Sequence, residues 1–249
     1  MRGEALVPPT SCLVPRSLIP RHHIPFVTAR ATPAGPTQPS AAPPRMPDAL
    51  PPRDHALALV REYTASESLR KHMLAVEAAM RAYALRLGGD PERWGLAGLL
   101  HDFDYERFPN ATHSATEEHP SEGVRILRGL GYPEDVLEAI MGHAGYTNTP
   151  RTTPMAKALF AVDELTGLIT ASALVKPSRS VHEVDARGVR KKMKDKAFAR
   201  GVSREDVLQG AAELGVDLDE HIAFVIEAMQ GEAEALGLQG AEGVPERTS

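Results

Sequence analysis

Residues 95–104, "GLAGLLHDFD", decide how this chain is read. Six small or apolar residues in a row have the composition of a buried helical segment, yet the run ends in His101 beside Asp102 rather than at an ordinary cap. An imidazole and a carboxylate side by side are metal or proton handles. A purely structural helix would gain nothing from them there, so the question becomes what else in the chain could meet them.

Working outward, the chain punctuates itself into helices. Residues 64–67, "TASE", form a capping-box pattern before a long periodic run. Asp90 and Thr153 each stand before a proline suited to the first helical position, and Ser203 opens a further helix. The pattern predicts helices near 54–64, 67–87, 91–102, 117–130, 133–144, 154–174, 187–199, 203–213 and 217–236. Ala and Leu are abundant, aromatics are 5% of residues, and no stretch alternates in the manner of a strand. The expected fold is all-α.

Of the 249 residues, the first 52 hold 13 of the 21 prolines and show no helical period, so 1–52 is expected to be a disordered Pro-rich extension. Met46 offers an alternative translation start, and an organelle transit peptide is a further reading of the Arg-containing leader. The helical bundle is expected over 53–175, with 176–249 a C-terminal helical extension packing on it. The single cysteine, Cys12, excludes an internal disulfide and a zinc–thiolate cluster. A net charge of -5 gives no global electrostatic case for nucleic acid or an anionic membrane surface. No apolar run reaches the roughly 18 residues of a membrane span, and a cytoplasmic protein is expected.

Helical spacing aims several polar groups inward. His72 lies on the stripe of Leu69, Met73, Val76 and Met80; His101 extends the row of Trp94, Ala97 and Gly98; His143 follows Val136, Ala139 and Ile140. His119 opens a row continued by Gly123, Ile126 and Leu130, and Asp163 lies four residues beyond Leu159. A lone inward histidine is ordinarily a hydrogen-bonded core residue. Burying four imidazoles and two carboxylates separately, however, costs about 1–3 kcal/mol apiece unless each finds partners. One or two shared metal ions would satisfy them together. His22, His23 and His55 belong in or beside the leader, His221 on a polar helix edge, and Trp94 and Phe103 in the core.

The order His72, then His101 with Asp102, then His119, His143 and Asp163 resembles the HD-domain superfamily of metal-dependent phosphohydrolases, over roughly residues 60–175. The layout is similar to small single-domain members, including HD-type symmetrical dinucleoside-tetraphosphate hydrolases. The resemblance implies an HD-domain helical bundle in which His72, His101, Asp102 and Asp163 hold one divalent ion, and His119, His143 and a bridging Asp102 a second. Manganese, iron, zinc, cobalt, nickel and magnesium are the candidate ions. Asp104 and Tyr105 stand where the cyclic-di-nucleotide phosphodiesterase branch has Gly and Lys, which disfavours that activity.

The expected activity is hydrolysis of a phosphoester or phosphoanhydride of a nucleotide-like or other small phosphorylated substrate. Phosphate oxygens away from the metals need cations. Five of the seven lysines fall within 176–196, so Lys176 and Arg179 are expected to approach the substrate phosphates, with Arg190, Lys191 and Lys194 at the entrance or on a solvated face. Arg107 is a candidate for the place of the missing Lys. The same six ligand types also occur in mixed-valent di-iron oxygenases, the alternative function; a non-catalytic metal-stabilised regulatory protein is the second. The C-terminal helices could cover the bundle or form a homodimer surface.

Overall fold

Proline and capping side chains set where most helices begin. The computed structural model describes residues 50–240. Among them are ten α-helices and no strand: α1 (Arg53–Tyr63), α2 (Glu67–Leu87), α3 (Pro91–Leu100), α4 (Ser121–Gly129), α5 (Glu134–His143), α6 (Pro154–Leu174), α7 (Ala186–Met193), α8 (Arg204–Leu214), α9 (Leu218–Gly231) and α10 (Ala233–Leu236). The Asp90 carboxylate accepts from the Glu92 amide at 2.9 Å, Thr153 from Ala156 at 3.1 Å and Ser203 from Asp206 at 3.2 Å, as the cap signals imply. The sequence readings of residues 1–49, including Cys12, His22, His23 and Met46, lie outside the described residues.

The capping box at 64–67 is not formed as expected. Ser66 rather than Thr64 caps α2, accepting from Leu69 N. The Thr64 hydroxyl instead donates to Phe103 O at 3.0 Å, tying the α1–α2 turn to the segment after α3. The Ala65 and Ser66 amides are taken by Glu106, at 2.6 and 2.8 Å.

The core is built on α2, α3 and α6. Met73, Val76 and Met80 of α2, Leu96, Leu99 and Leu100 of α3, and Leu159, Val162 and Leu165 of α6 are all buried. Gly98 lets α3 lie on the α2 backbone: a methyl group there would stand 2.9 Å from both Val76 O and Glu77 N. Beside this contact the buried Glu77 carboxylate receives Arg53 Nε at 2.6 Å and Arg81 Nε at 3.0 Å, and Arg81 also reaches Glu92 at 2.6 Å, so one network joins α1, α2 and α3. The close approach of α2 and α3 brings His72 and His101 together. Trp94 and Phe103 are buried, as expected.

The C-terminal helices cover this core, α8 on α6 and α9 on α2, α6 and α7. The expected helix over 187–199 stops at Met193, where three cations already load the last turn. The following turns present their carbonyls to Arg204, which donates to Ala199 O at 2.6 Å, Val202 O at 2.7 Å and also Phe198 O. The expected 217–236 helix breaks at Glu232. His221 is no edge residue. It is fully buried, receives the Tyr83 hydroxyl at Nδ1 (2.6 Å) and donates from Nε2 to Ala161 O (3.0 Å). His55 lies on α1, with Nδ1 3.2 Å from the Tyr132 hydroxyl. No helix among the described residues is long and apolar enough to cross a membrane.

Candidate metal centre

Two helix ends and a loop meet the α2–α6 pair to form the site. His72 comes from the second turn of α2 and Asp163 from the middle of α6. α3 ends at Leu100 rather than at 102, so His101 and Asp102 stand on the turn that follows it, and His143 is the last residue of α5. His119 departs from expectation: α4 starts at Ser121, not 117, and His119 lies before it. The residue preceding a proline is pushed out of the α region, which is why Pro120 ends the irregular segment rather than continuing a helix.

Asp102 faces both ways. Its Oδ2 lies 3.4 Å from His101 Nε2 and 3.8 Å from His72 Nε2, while its Oδ1 lies 3.2 Å from His119 Nε2 and 3.5 Å from His143 Nε2. Asp163 Oδ1 completes the first side, 3.0 Å from His72 Nε2 and 3.3 Å from His101 Nε2. All six residues singled out from the sequence as metal candidates are therefore gathered. His72, His101 and Asp102 offer donor atoms within 4.8 Å of one another, and so do Asp102, His119 and His143.

The hydrogen-bond partners decide what these atoms can bind. His101 Nδ1 faces Gly98 O at 2.8 Å and His143 Nδ1 faces Ile140 O at 2.5 Å. His119 Nδ1 faces Asp104 Oδ1 at 2.7 Å. These partners only accept, so the network assigns the hydrogen to Nδ1 in each ring. Thr166 gives its own hydroxyl hydrogen to Asp163 O (2.8 Å), which leaves it an acceptor for His72 Nδ1 at 3.4 Å. In their neutral form all four rings turn a bare Nε2 inward, and these nitrogens approach in pairs at 3.2 Å (His72 and His101) and 3.3 Å (His119 and His143). Nitrogen lone pairs and carboxylate oxygens converging in this way favour positive charge between them, a proton or a metal ion, and imidazole with carboxylate is a donor set for divalent transition metals.

The electrostatics agree. Burial alone would lower the pKa of His101, but Asp102 and Asp163 outweigh it and hold it well above the usual value. For His119 burial is likewise outweighed, by Asp102 and Asp104, raising it to about 9. Burial would raise the Asp102 carboxyl, yet His101, His119 and His143 hold it well below the usual range. The pocket stabilises positive charge among these groups.

Asp104 was not singled out from the sequence. It is buried, and its two oxygens take His119 Nδ1–H and the Gly123 amide, each at 2.7 Å. A methyl at Gly123 would stand 2.6 Å from the Asp104 carboxyl carbon, so that position has room only for glycine. A cavity of about 550 Å³ opens onto the cluster, walled by Tyr105, His113, Tyr146, Glu164 and Asp206 among others. Burial and the adjacent Asp163 push the Glu164 carboxyl up to about 7, although Ser203 N donates to it at 3.1 Å. One lip of the cavity is the turn around His113, whose backbone has φ 54°; Glu118 clasps it through the amides of Thr112 (3.1 Å) and Ser114 (2.9 Å).

Among the described residues no Lys or Arg lines this cavity, so Lys176, Arg179 and Arg107 do not border it. α6 continues eleven residues past Asp163 to Leu174, about 16 Å along its axis, and carries Lys176 and Arg179 away from the cluster. Arg179 borders a separate hollow beside Gly237. Arg107 packs over the Tyr63 ring at 3.7 Å and donates to Glu62 O. Arg190 lies 3.4 Å from Asp219 on α9, and neither it nor Lys191 or Lys194 reaches the cavity wall.

An all-helical bundle whose buried centre is a converging set of histidines and aspartates defines a class of metal-binding helical domains. Residues 69–168 match the family model of the HD domain. The matched segment takes in all six inward-facing His and Asp residues. No curated protein and no solved structure matches the chain. The match to the HD domain suggests a member of a superfamily of metal-dependent phosphohydrolases.

Proposed function

We propose that the protein hydrolyses a phosphoester or phosphoanhydride of a small phosphorylated substrate, with His72, His101, Asp102 and Asp163 holding one divalent ion and Asp102, His119 and His143 a second. The observation that carries this reading is the split of Asp102, one oxygen toward each histidine pair. Bound divalent ions would supply a water of lowered pKa and polarise a phosphoryl oxygen. The chain's own residues do the rest. Gly98 O, Ile140 O, Asp104 and Thr166 hold the four rings in one tautomer. Glu164 also stands on the cavity wall, beside Asp163.

Metal analysis of anaerobically purified protein, combined with phosphate release from a phosphoester panel under added manganese, iron, cobalt or magnesium, tests this. Metal-dependent turnover is expected. The cavity wall carries no Lys or Arg among the described residues, which favours a second reading, a mixed-valent di-iron oxygenase on the same ligands, because its substrate need not be clamped by phosphate. Two irons per chain, a mixed-valent EPR signal and oxygen consumption without phosphoester turnover would select it.

A further inference from the structure

A second chamber, of about 410 Å³, adjoins the metal cavity. It lies between the first turns of α2, the second half of α6 and the chain around Leu236 to Leu238. His72 and Gly167 line both spaces. At Gly167 the first atom an added methyl would meet is Val202 Cγ2 at 3.6 Å. Lys71, the one Lys or Arg among the described residues of the chamber wall, is paired with Glu67 at 2.7 Å. Ser68, Thr170, Leu174, Leu236 and Leu238 also line the chamber. Leu174 is 49% exposed and its neighbour Val175 58% exposed, apolar surface that the described residues leave uncovered.

A chamber of this size is in the range of small-molecule sites, and an unpaired charge to recognise phosphate is missing from it. We propose that it receives an uncharged apolar group of the same substrate whose phosphate meets the His and Asp cluster. The substrate class is thereby a phosphate ester of a lipophilic alcohol, an inference that rests on the phosphohydrolase reading above. The C-terminal extension then contributes to specificity, since Leu236 and Leu238 form part of the wall.

The test uses the full-length, metal-loaded protein and a series of n-alkyl phosphates from ethyl to octyl. With each methylene that enters the chamber, kcat/KM is expected to rise by up to about fourfold until the chamber is full. Leu174→Asp, at a surface-exposed position, and Thr170→Phe, which fills the space, should each flatten that rise. Calorimetric titration with n-octanol should show one saturable site, lost in both variants. Equal kcat/KM along the series, or octanol binding indifferent to both substitutions, would overturn the proposal. If the wild type releases phosphate from other members of a phosphoester panel but hydrolyses no alkyl phosphate, the substrate class proposed here is overturned and the phosphohydrolase reading stands; if it releases phosphate from none, that reading fails, and the octanol titration still decides whether the chamber binds apolar groups.

Discussion

Asp104→Asn should weaken one of the two proposed metal positions and leave the other. Asp104 accepts two hydrogens, from His119 Nδ1 and from the Gly123 amide, each at 2.7 Å. A carboxamide has the same shape but a single oxygen, so one donor must face the new NH2 group. If the oxygen stays with His119, a buried backbone N–H loses its partner; if it turns to Gly123, the imidazole loses its anchor and its fixed tautomer. Either arrangement forfeits a charge-assisted hydrogen bond of about 1.5–3 kcal/mol. Loss of such a partner to a metal-ligating histidine lowers metal affinity by roughly 10–100-fold. His72, His101 and Asp163 have no contact with Asp104, so the first position keeps its affinity. We expect competition against a graded series of chelators to resolve two equal-capacity sites in the wild type. In Asp104→Asn one site should strip at 10–100-fold lower chelator strength. Unchanged affinity at both positions, or an equal loss at both, would refute the assignment of His119 to one ion and of Asp104 to holding it.

Three further expectations follow from the packing and the charges. Gly98→Ala places a methyl 2.9 Å from the α2 backbone and should cost about 1–3 kcal/mol in denaturant unfolding while also reducing metal affinity, because His101 is bonded to Gly98 O; a neutral effect on both would contradict the close α2–α3 contact. Lys176→Ala and Arg179→Ala should leave kcat/KM on a short phosphoester within about twofold of wild type, and a tenfold loss would restore them to the substrate site. His221 has its pKa lowered by burial. The unfolded chain binds a proton at that residue below about 6.5 and the native one does not, so its contribution is complete above that pH and is lost as pH falls. Unfolding free energy followed from pH 7.5 to 5 should therefore drop less steeply in His221→Gln than in wild type, and parallel curves would argue that the histidine is not held neutral.

How far the sequence is legible follows the range of each interaction. Caps at Asp90 and Thr153 and the apolar stripe through His72 are local, and they placed α2, α3 and α6 within a residue or two at most boundaries. Inward-facing His and Asp on separate stripes sufficed to collect the metal candidates without knowing how the helices pack. His119 was reached by the right residue and the wrong element, since a helical row was drawn through Pro120. Asp104 was visible only as a departure from a motif; its meaning depends on Gly123, nineteen residues on, being small enough to admit it. Lys176 and Arg179 were misplaced for a different reason. Nearness along the chain to Asp163 was taken for nearness in space, whereas a straight helix turns eleven residues into distance.

The clasp at Glu118 gives the cavity mouth an independence the rest of the wall lacks. The walls on α5 and α6 can open only by disturbing the buried core, but the lip around His113 is secured by a few local contacts: the Glu118 carboxylate, whose pKa is lowered by the Ser114 and Thr112 amides it holds, the Ser121 hydroxyl on Ala115 O, and the His113 ring against Tyr146. Such a segment can detach as its own cooperative unit with the bundle intact. In amide exchange, residues 112 and 114 would then exchange together and ahead of the helices. Access to the buried histidines would be governed by the lifetime of a loop rather than by the stability of the fold.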